Sequence, residues 1–92
     1  MIEYKDQEPR LVWTGTVHQG GRFSAIPVTR SVYEAIGRAL VEIDEILQDN
    51  YTIDYLPLED HQHMIRGTSA KNGYPVPEPI HVYIIPTTLS EV

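Results

Sequence analysis

The chain has 92 residues, with 41% hydrophobic and 22% charged residues and a formal net charge of −6 at pH 7. This length allows one hydrophobic core, which excludes two independent modules, and the composition excludes a fibrous repeat or a wholly disordered chain. The absence of cysteine excludes a disulfide framework, a thiolate nucleophile and a Cys-ligated metal centre. The acidic balance argues against a surface whose main task is to neutralise phosphates.

The start of the chain does not resemble a secretion signal. It carries acidic side chains where a signal peptide has a basic region, and residues 1–9, which end at a proline, are predicted to form a loose leader. No apolar stretch approaches the roughly 20 residues that a membrane-spanning helix needs. We therefore expect a cytoplasmic protein without membrane association.

A β-hairpin is predicted for the first ordered segment. Residues 11–17 combine β-branched and aromatic side chains, and residues 22–28 resume this pattern after Gly20 and Gly21, which suit a tight turn. Pro27 lacks a backbone donor, so the second strand should lie at a sheet edge or stop pairing there. The side chains predicted to face the core are Leu11, Trp13, Val17 and Phe23.

The clearest predicted element is an amphipathic helix. Ser31 followed by Glu34 has the spacing of a capping box, so the helix should begin at about Val32, and Asp49 with Asn50 should end it. At 100° per residue, the apolar side chains of this segment fall on one face. They are Val32, Ile36, Ala39, Leu40, Ile43, Ile46 and Leu47.

Two more strands are predicted in the second half, separated by a long loop. Residues 51–56 alternate in polarity, whereas residues 57–79 hold four of the seven prolines and form a Pro-rich loop, in which 58–66 fit a helical turn or a short strand equally well. The last strand, residues 80–86, is apolar at nearly every position. It should lie in the middle of the sheet or be buried in a homodimer, and residues 87–92 are predicted to be a frayed tail.

These elements together predict an α+β domain. A ββαβ unit over residues 10–56 and the last strand form an antiparallel sheet of about four strands, with one amphipathic helix packed on one face. The hairpin followed by the segment from Ser31 to Leu47 resembles the layout of HicB-type antitoxins and of bacteriophage inhibitors of host polymerases. This resemblance is one of pattern and implies no site residue.

The charge distribution carries the main functional hypothesis. Residues 1–38 hold five Lys or Arg and four Asp or Glu, whereas residues 39–92 hold two and nine, so the net charge changes from +1 to −7. The carboxylates expected to form an acidic binding surface are Glu42, Glu45, Asp49, Asp54, Glu59 and Asp60. Tyr74, in an extended proline-rich segment, is expected to dock in a partner's groove. A solubilising surface and a rigid connector are the alternative interpretations.

The predicted function is therefore a small acidic, non-enzymatic interaction module that needs no cofactor. It is expected to act as an inhibitor or regulator of the phage or mobile-element type, which blocks a basic, nucleic-acid-binding surface of a larger protein.

A metal site is one alternative hypothesis. In a strand, His61 and His63 would point to the same face, and Asp60 is a neighbouring carboxylate, so the three residues form a candidate ligand set for a metal-binding or hydrolytic protein. A solvated polar loop explains the same residues.

Nucleic-acid binding is the second alternative. Arg10, Arg22 and Arg30 lie near Trp13 and Phe23 in the sequence, and arginines among aromatic residues can contact phosphates and stack on bases. Packing of the aromatic side chains in the core is the competing interpretation.

Overall fold

The structure is a computed structural model, and it describes residues 10–48, 50–70 and 77–89. Within these residues the chain forms five strands and one helix, which confirms the predicted α+β class and corrects the number of strands from about four to five. The elements are β1 (Arg10–Gln19), β2 (Arg22–Thr29), α1 (Val32–Leu47), β3 (Tyr51–Pro57), β4 (His63–Ser69) and β5 (Ile80–Leu89). The predicted leader lies outside the described residues, as does the end of the tail.

The strands form one open antiparallel sheet in the order β2-β1-β5-β4-β3. β5 is therefore the central strand, as its apolar sequence predicted, and both of its edges are hydrogen-bonded within the chain. This position leaves β5 no free edge for pairing with a second copy, so the predicted homodimer cannot form by strand pairing there. The two edge strands are β2 and β3.

Two segments contain more strand residues than the sequence pattern indicated. Residues 63–69, in the predicted loop, form β4, which pairs with β3 on one side and β5 on the other. β5 also continues to Leu89, because Thr87 and Thr88 pair with Val12 and Leu11 of β1. In both cases the strand is completed by partners distant in sequence, which a local pattern does not reveal.

The hairpin between β1 and β2 forms as predicted. Gly20 and Gly21 occupy the turn with φ angles of 55° and 87°, a region that favours glycine. The β1–β2 register shifts between Trp13 and Gly15, which leaves one extra residue on β2 near Pro27. The proline therefore lies at a bulge in an edge strand, as expected from its missing donor.

The helix begins and ends close to the predicted residues. The Ser31 side chain caps it by accepting a hydrogen bond from the Tyr33 N–H at 3.1 Å, one residue earlier than the capping-box spacing indicated. At the other end the Gln48 N–H donates to the Asp44 carbonyl at 2.7 Å. Gln48 has a φ of 64°, which ends the helical backbone. Within the described residues, no helix is long and apolar enough to cross a bilayer.

The core contains side chains from the helix and from four strands. Four of its members belong to α1, and two of these are alanines, which allow a close approach of the helix backbone. The Ile43 side chain lies directly over Gly67 of β4. The core residues are Val17, Ile26, Ala35, Ala39, Ile43, Leu47, Ile65, Ile80, Val82 and Ile84.

Four side chains predicted to be buried are exposed. Leu40 and Ile46 of α1 are 39% and 41% exposed, because the buried stripe of the helix is narrower than its apolar stripe. Leu11 is 53% exposed and Phe23 is 70% exposed. Leu11 lies near the open end of the hairpin, beyond the core residues of β1. Phe23 pairs with His18, whose neighbour Val17 belongs to the core, so the Phe23 ring lies on the face opposite the helix.

Candidate functional site

Three carboxylates of α1 line an open hollow between the helix and the edge strand β2. Glu34, Glu42 and Glu45 follow one side of the helix, because residues three, four, seven and eight apart return to the same side. We call these three residues the acidic flank. The hollow has a volume of about 590 Å³. It is lined by Ile26, Pro27, Glu34, Gly37, Arg38, Val41, Glu42 and Glu45.

The acidic flank combines negative charge with an apolar floor. Ile26 and Pro27 of β2 and Val41 of the helix supply apolar surface, and Val41 is 54% exposed. Arg38 also lines the hollow, so three carboxylates face one guanidinium. Glu45 is exposed and Glu42 is partly buried. A lysine or arginine side chain fits such a surface, because its aliphatic stem can cover the floor while its charged group meets the carboxylates.

The other predicted carboxylates lie elsewhere. Asp54 is paired with Arg66 of its own chain at 3.0 Å, and the described residues show no other ion pair. Glu59 and Asp60 are exposed in the turn between β3 and β4. Asp49 and Tyr74 lie outside the described residues. The structure thus brings Glu42 and Glu45 together with Glu34, which the sequence hypothesis did not include, and separates them from Asp54, Glu59 and Asp60.

The proposed metal ligands do not converge. His61 lies in the β3–β4 turn with a φ of 60° and is exposed. His63 begins β4, where its Nδ1 atom and the Tyr55 hydroxyl are hydrogen-bonded and its ring centre lies 5.7 Å from that of Trp13. In the part of the chain that the structure describes, no three His, Asp or Glu residues are grouped closely enough to hold a metal ion.

The structure places one of the three arginines of the nucleic-acid hypothesis far from the other two. Arg22 begins β2, and Arg30 follows its last residue, so about 26 Å of extended strand separates the two at 3.3 Å per residue. Arg10 is the first residue of β1 and lies at the same open end of the hairpin as Arg30, because Trp13 pairs with Thr29. The exposed position of Phe23 contradicts the competing interpretation that its ring packs in the core.

A row of side chains crosses the sheet on the face opposite the helix, and the sequence hypotheses did not include it. Register places one residue from each strand side by side: Phe23, His18, His81, Arg66 and Asp54. The His18 ring makes an edge contact with Phe23, with ring centres 4.8 Å apart. Because the row takes one residue from each of five strands, only the sheet register reveals it. Within this row, the Arg66 guanidinium pairs with Asp54.

A second hollow lies on the other side of α1, next to β3. It has a volume of about 370 Å³ and is almost wholly apolar. We call it the β3 groove. It is lined by Tyr33, Ile36, Leu40, Ile53, Tyr55 and Ile65. The sequence contained part of the signal for this groove, but Leu40 was predicted to face the core.

Comparisons with protein-family models, with curated proteins and with solved structures find no match for this chain. The choice among the candidate sites therefore depends on geometry and charge. Of the predicted sites, the structure assembles carboxylates of α1 at one place on the surface. It does not assemble the histidine or the arginine set.

Proposed function

We propose that this chain is a small non-enzymatic interaction module whose acidic flank binds a basic surface of a larger protein. The observation that carries the proposal is the alignment of Glu34, Glu42 and Glu45 on one side of α1, above an apolar floor. Asp54 offers a contrast, since Arg66 of its own chain already pairs with it. We infer an inhibitor or regulator of the phage or mobile-element type, which covers a nucleic-acid-binding surface of its partner. The proposal assigns no catalytic residue and no cofactor.

The position of these carboxylates along the helix is better explained by a role in binding than by a contribution to the stability of α1. Glu42 and Glu45 lie in the C-terminal half of α1, where the helix macrodipole disfavours negative charge by about 0.3–1 kcal/mol for a group near the end. The last turn holds no basic residue that compensates for it. The Ser31 cap and Glu34 at the other end satisfy the helix N-terminus. Local stability therefore accounts for Glu34 and leaves Glu45, in the last turn of α1, unexplained.

A basic partner surface also fits the expected kinetics. Complementary charge raises the rate of encounter and makes it sensitive to ionic strength, because a Debye length of about 10 Å at 0.1 M salt screens the attraction. The apolar floor adds contact area that salt does not weaken. As the salt concentration is raised, the association rate at the acidic flank is thus expected to fall, but some affinity should remain.

The test uses two charge-reversed variants with the same change in net charge. One carries Glu42→Lys and Glu45→Lys in the acidic flank, and the matched control carries Glu59→Lys and Asp60→Lys in the exposed β3–β4 turn. A protein captured by the wild-type chain from host lysate is purified and titrated against all three proteins at two salt concentrations. Circular dichroism verifies that each variant is folded.

The flank variant should bind at least about tenfold more weakly and lose most of its salt dependence, while the turn variant stays within about threefold of wild type. An equal loss in both variants would show that overall charge, and not the acidic flank, drives binding. Unchanged affinity of the flank variant would reject the proposal.

A further inference from the structure

The two edges of the sheet differ in how they are protected from pairing. β2 has Pro27, a bulge and the neighbouring acidic flank, all features that discourage the addition of another strand. β3 pairs with β4 in an unbroken register from Tyr51 to Pro57, and its proline stands at the last position. Its single charged residue, Asp54, is paired within the chain. Among the residues that the structure describes, nothing protects the edge of β3 in this way.

Backbone hydrogen bonds show which residues of β3 point outward. The Leu58 N–H donates to the Gln62 carbonyl at 2.8 Å beyond one end of β3, and the Ala70 N–H donates to the Asn50 carbonyl at 2.6 Å beyond the other. In an antiparallel ladder, alternate residues bond to the same neighbour. The even-numbered residues of β3 thus bond to β4, and the N–H and C=O groups of Ile53 and Tyr55 point away from β4, toward the edge of the sheet.

The side chains next to this edge are apolar and exposed. Tyr33 and Leu40 of α1 are 82% and 39% exposed, and Ile53 and Tyr55 of β3 are 38% and 49% exposed. All four line the β3 groove. A strand added beside β3 would place every second side chain over this groove, so the occupant must be extended, with apolar residues at alternate positions on the helix side.

We propose that the occupant is β3 of a second copy of this chain, paired antiparallel across a twofold axis. β3 has the required pattern itself, since Ile53 and Tyr55 both face the helix side. An axis at Ile53 pairs its N–H and C=O groups with those of the second copy. This register also places Asp54 opposite Thr52, which avoids two like charges side by side. The two sheets then form one sheet of ten strands, with two helices on the same face.

The available area indicates a weak dimer. A tyrosine buries about 150–250 Å² when it is fully covered, so the partly exposed groove residues contribute on the order of 400–500 Å² per copy. A standard stable interface buries about 800 Å² per partner. We therefore expect a dissociation constant on the order of 10–100 μM. Because each copy has a net charge of −6, added salt should strengthen the dimer.

The first test measures the molecular mass of the isolated protein by sedimentation between about 1 and 500 μM, a range set by the expected dissociation constant. The variant Ile53→Pro removes an outward N–H without removing a β3–β4 hydrogen bond, and proline is tolerated at such edge positions. It should be monomeric throughout the range. The matched control is Ala25→Pro on β2, where counting from the Gln19–Arg22 pair also gives an outward position; it should dimerise like wild type.

The second test does not depend on the proline variant being folded. The chain has no cysteine, so Ile53→Cys introduces a single thiol. Paired residues at the axis have Cβ atoms about 5 Å apart, which a short, flexible bifunctional thiol reagent can bridge. This reagent should therefore yield a linked dimer for Ile53→Cys, and Ala25→Cys should stay largely unlinked.

A wild-type chain that stays monomeric at 500 μM overturns the proposal, as does a dimer that survives Ile53→Pro. Equal crosslinking of the two cysteine variants also overturns it. The Glu42→Lys, Glu45→Lys variant should dimerise at least as well as wild type, so this proposal and the proposed function can fail independently.

Discussion

The contact between Ile43 and Gly67 joins the helix to the sheet and can be measured directly. Ile43 is fully buried, and a Cβ atom built on Gly67 would overlap its Cγ2 methyl group. The variant Gly67→Ala should therefore overpack the core in the presence of Ile43. In an Ile43→Ala background the same methyl group fills space that the isoleucine has vacated.

The expected free-energy changes differ between the background that keeps Ile43 and the Ile43→Ala background. Overpacking at Gly67 should cost about 1–3 kcal/mol, and Ile43→Ala alone should cost about 2–5 kcal/mol. In the Ile43→Ala background, Gly67→Ala should be neutral or stabilise by up to about 1 kcal/mol, since alanine also restricts the unfolded chain. The coupling energy is then about 1–4 kcal/mol. A domain of 92 residues is expected to have a total stability of about 5–14 kcal/mol, which exceeds the largest expected loss except at the lower end of this range.

Urea denaturation provides the assay, because Trp13 is the chain's one tryptophan and is partly buried against the core. Its fluorescence and the far-ultraviolet circular dichroism should give the same midpoint in each of the four proteins. If Gly67→Ala costs the same in both backgrounds, or costs less than about 0.5 kcal/mol with Ile43 present, then α1 does not sit on β4 at this position.

Two further predictions concern single interactions. Ser31→Ala removes the acceptor of the Tyr33 N–H and should lower the stability by about 1 kcal/mol; an unchanged urea midpoint would contradict the cap. The exposed pair of Asp54 and Arg66 should show a coupling energy of about 0.2–1 kcal/mol in a cycle of alanine variants, falling in 1 M salt. A coupling above about 2 kcal/mol would mean that the pair is shielded from solvent to a degree that its exposed side chains do not show.

The parts of the fold set by local signals could be predicted from the sequence. The hairpin turn follows from the positive φ that Gly20 and Gly21 accept, and the helix start follows from the Ser31 cap. The sequence could not distinguish β4 from a helical turn, because residues 63–69 have no strong period of their own and are held by ladders to β3 and β5. The assignment of Leu40 to the core failed for a related reason. An apolar stripe shows which side of a helix can be buried, but the sheet determines how much of it is covered.

The candidate site was predictable to a similar extent. A run of carboxylates from Glu42 to Asp60 indicates an acidic second half. The structure divides the described members of this run among a helix, a strand and a turn. Helical spacing placed Glu42 and Glu45 together, and the same spacing adds Glu34 from beyond the run. Asp54 could not be assigned, because its Arg66 partner becomes visible only when the β3–β4 register is known.

The two proposed interfaces lie on opposite sides of α1, and this arrangement has a consequence for binding. The acidic flank faces β2, and the β3 groove faces the other edge of the sheet. Pairing through β3 would therefore leave both acidic flanks free at the outer edges of the ten-stranded sheet. A dimer of this kind presents two like sites on one rigid body, so a partner with two basic surfaces at the matching separation gains from the high effective concentration of the second site.

Salt acts on the two contacts in opposite directions, since it screens attraction at the flank and repulsion between the copies. Binding to such a partner should then fall less steeply with salt than binding to a single basic surface.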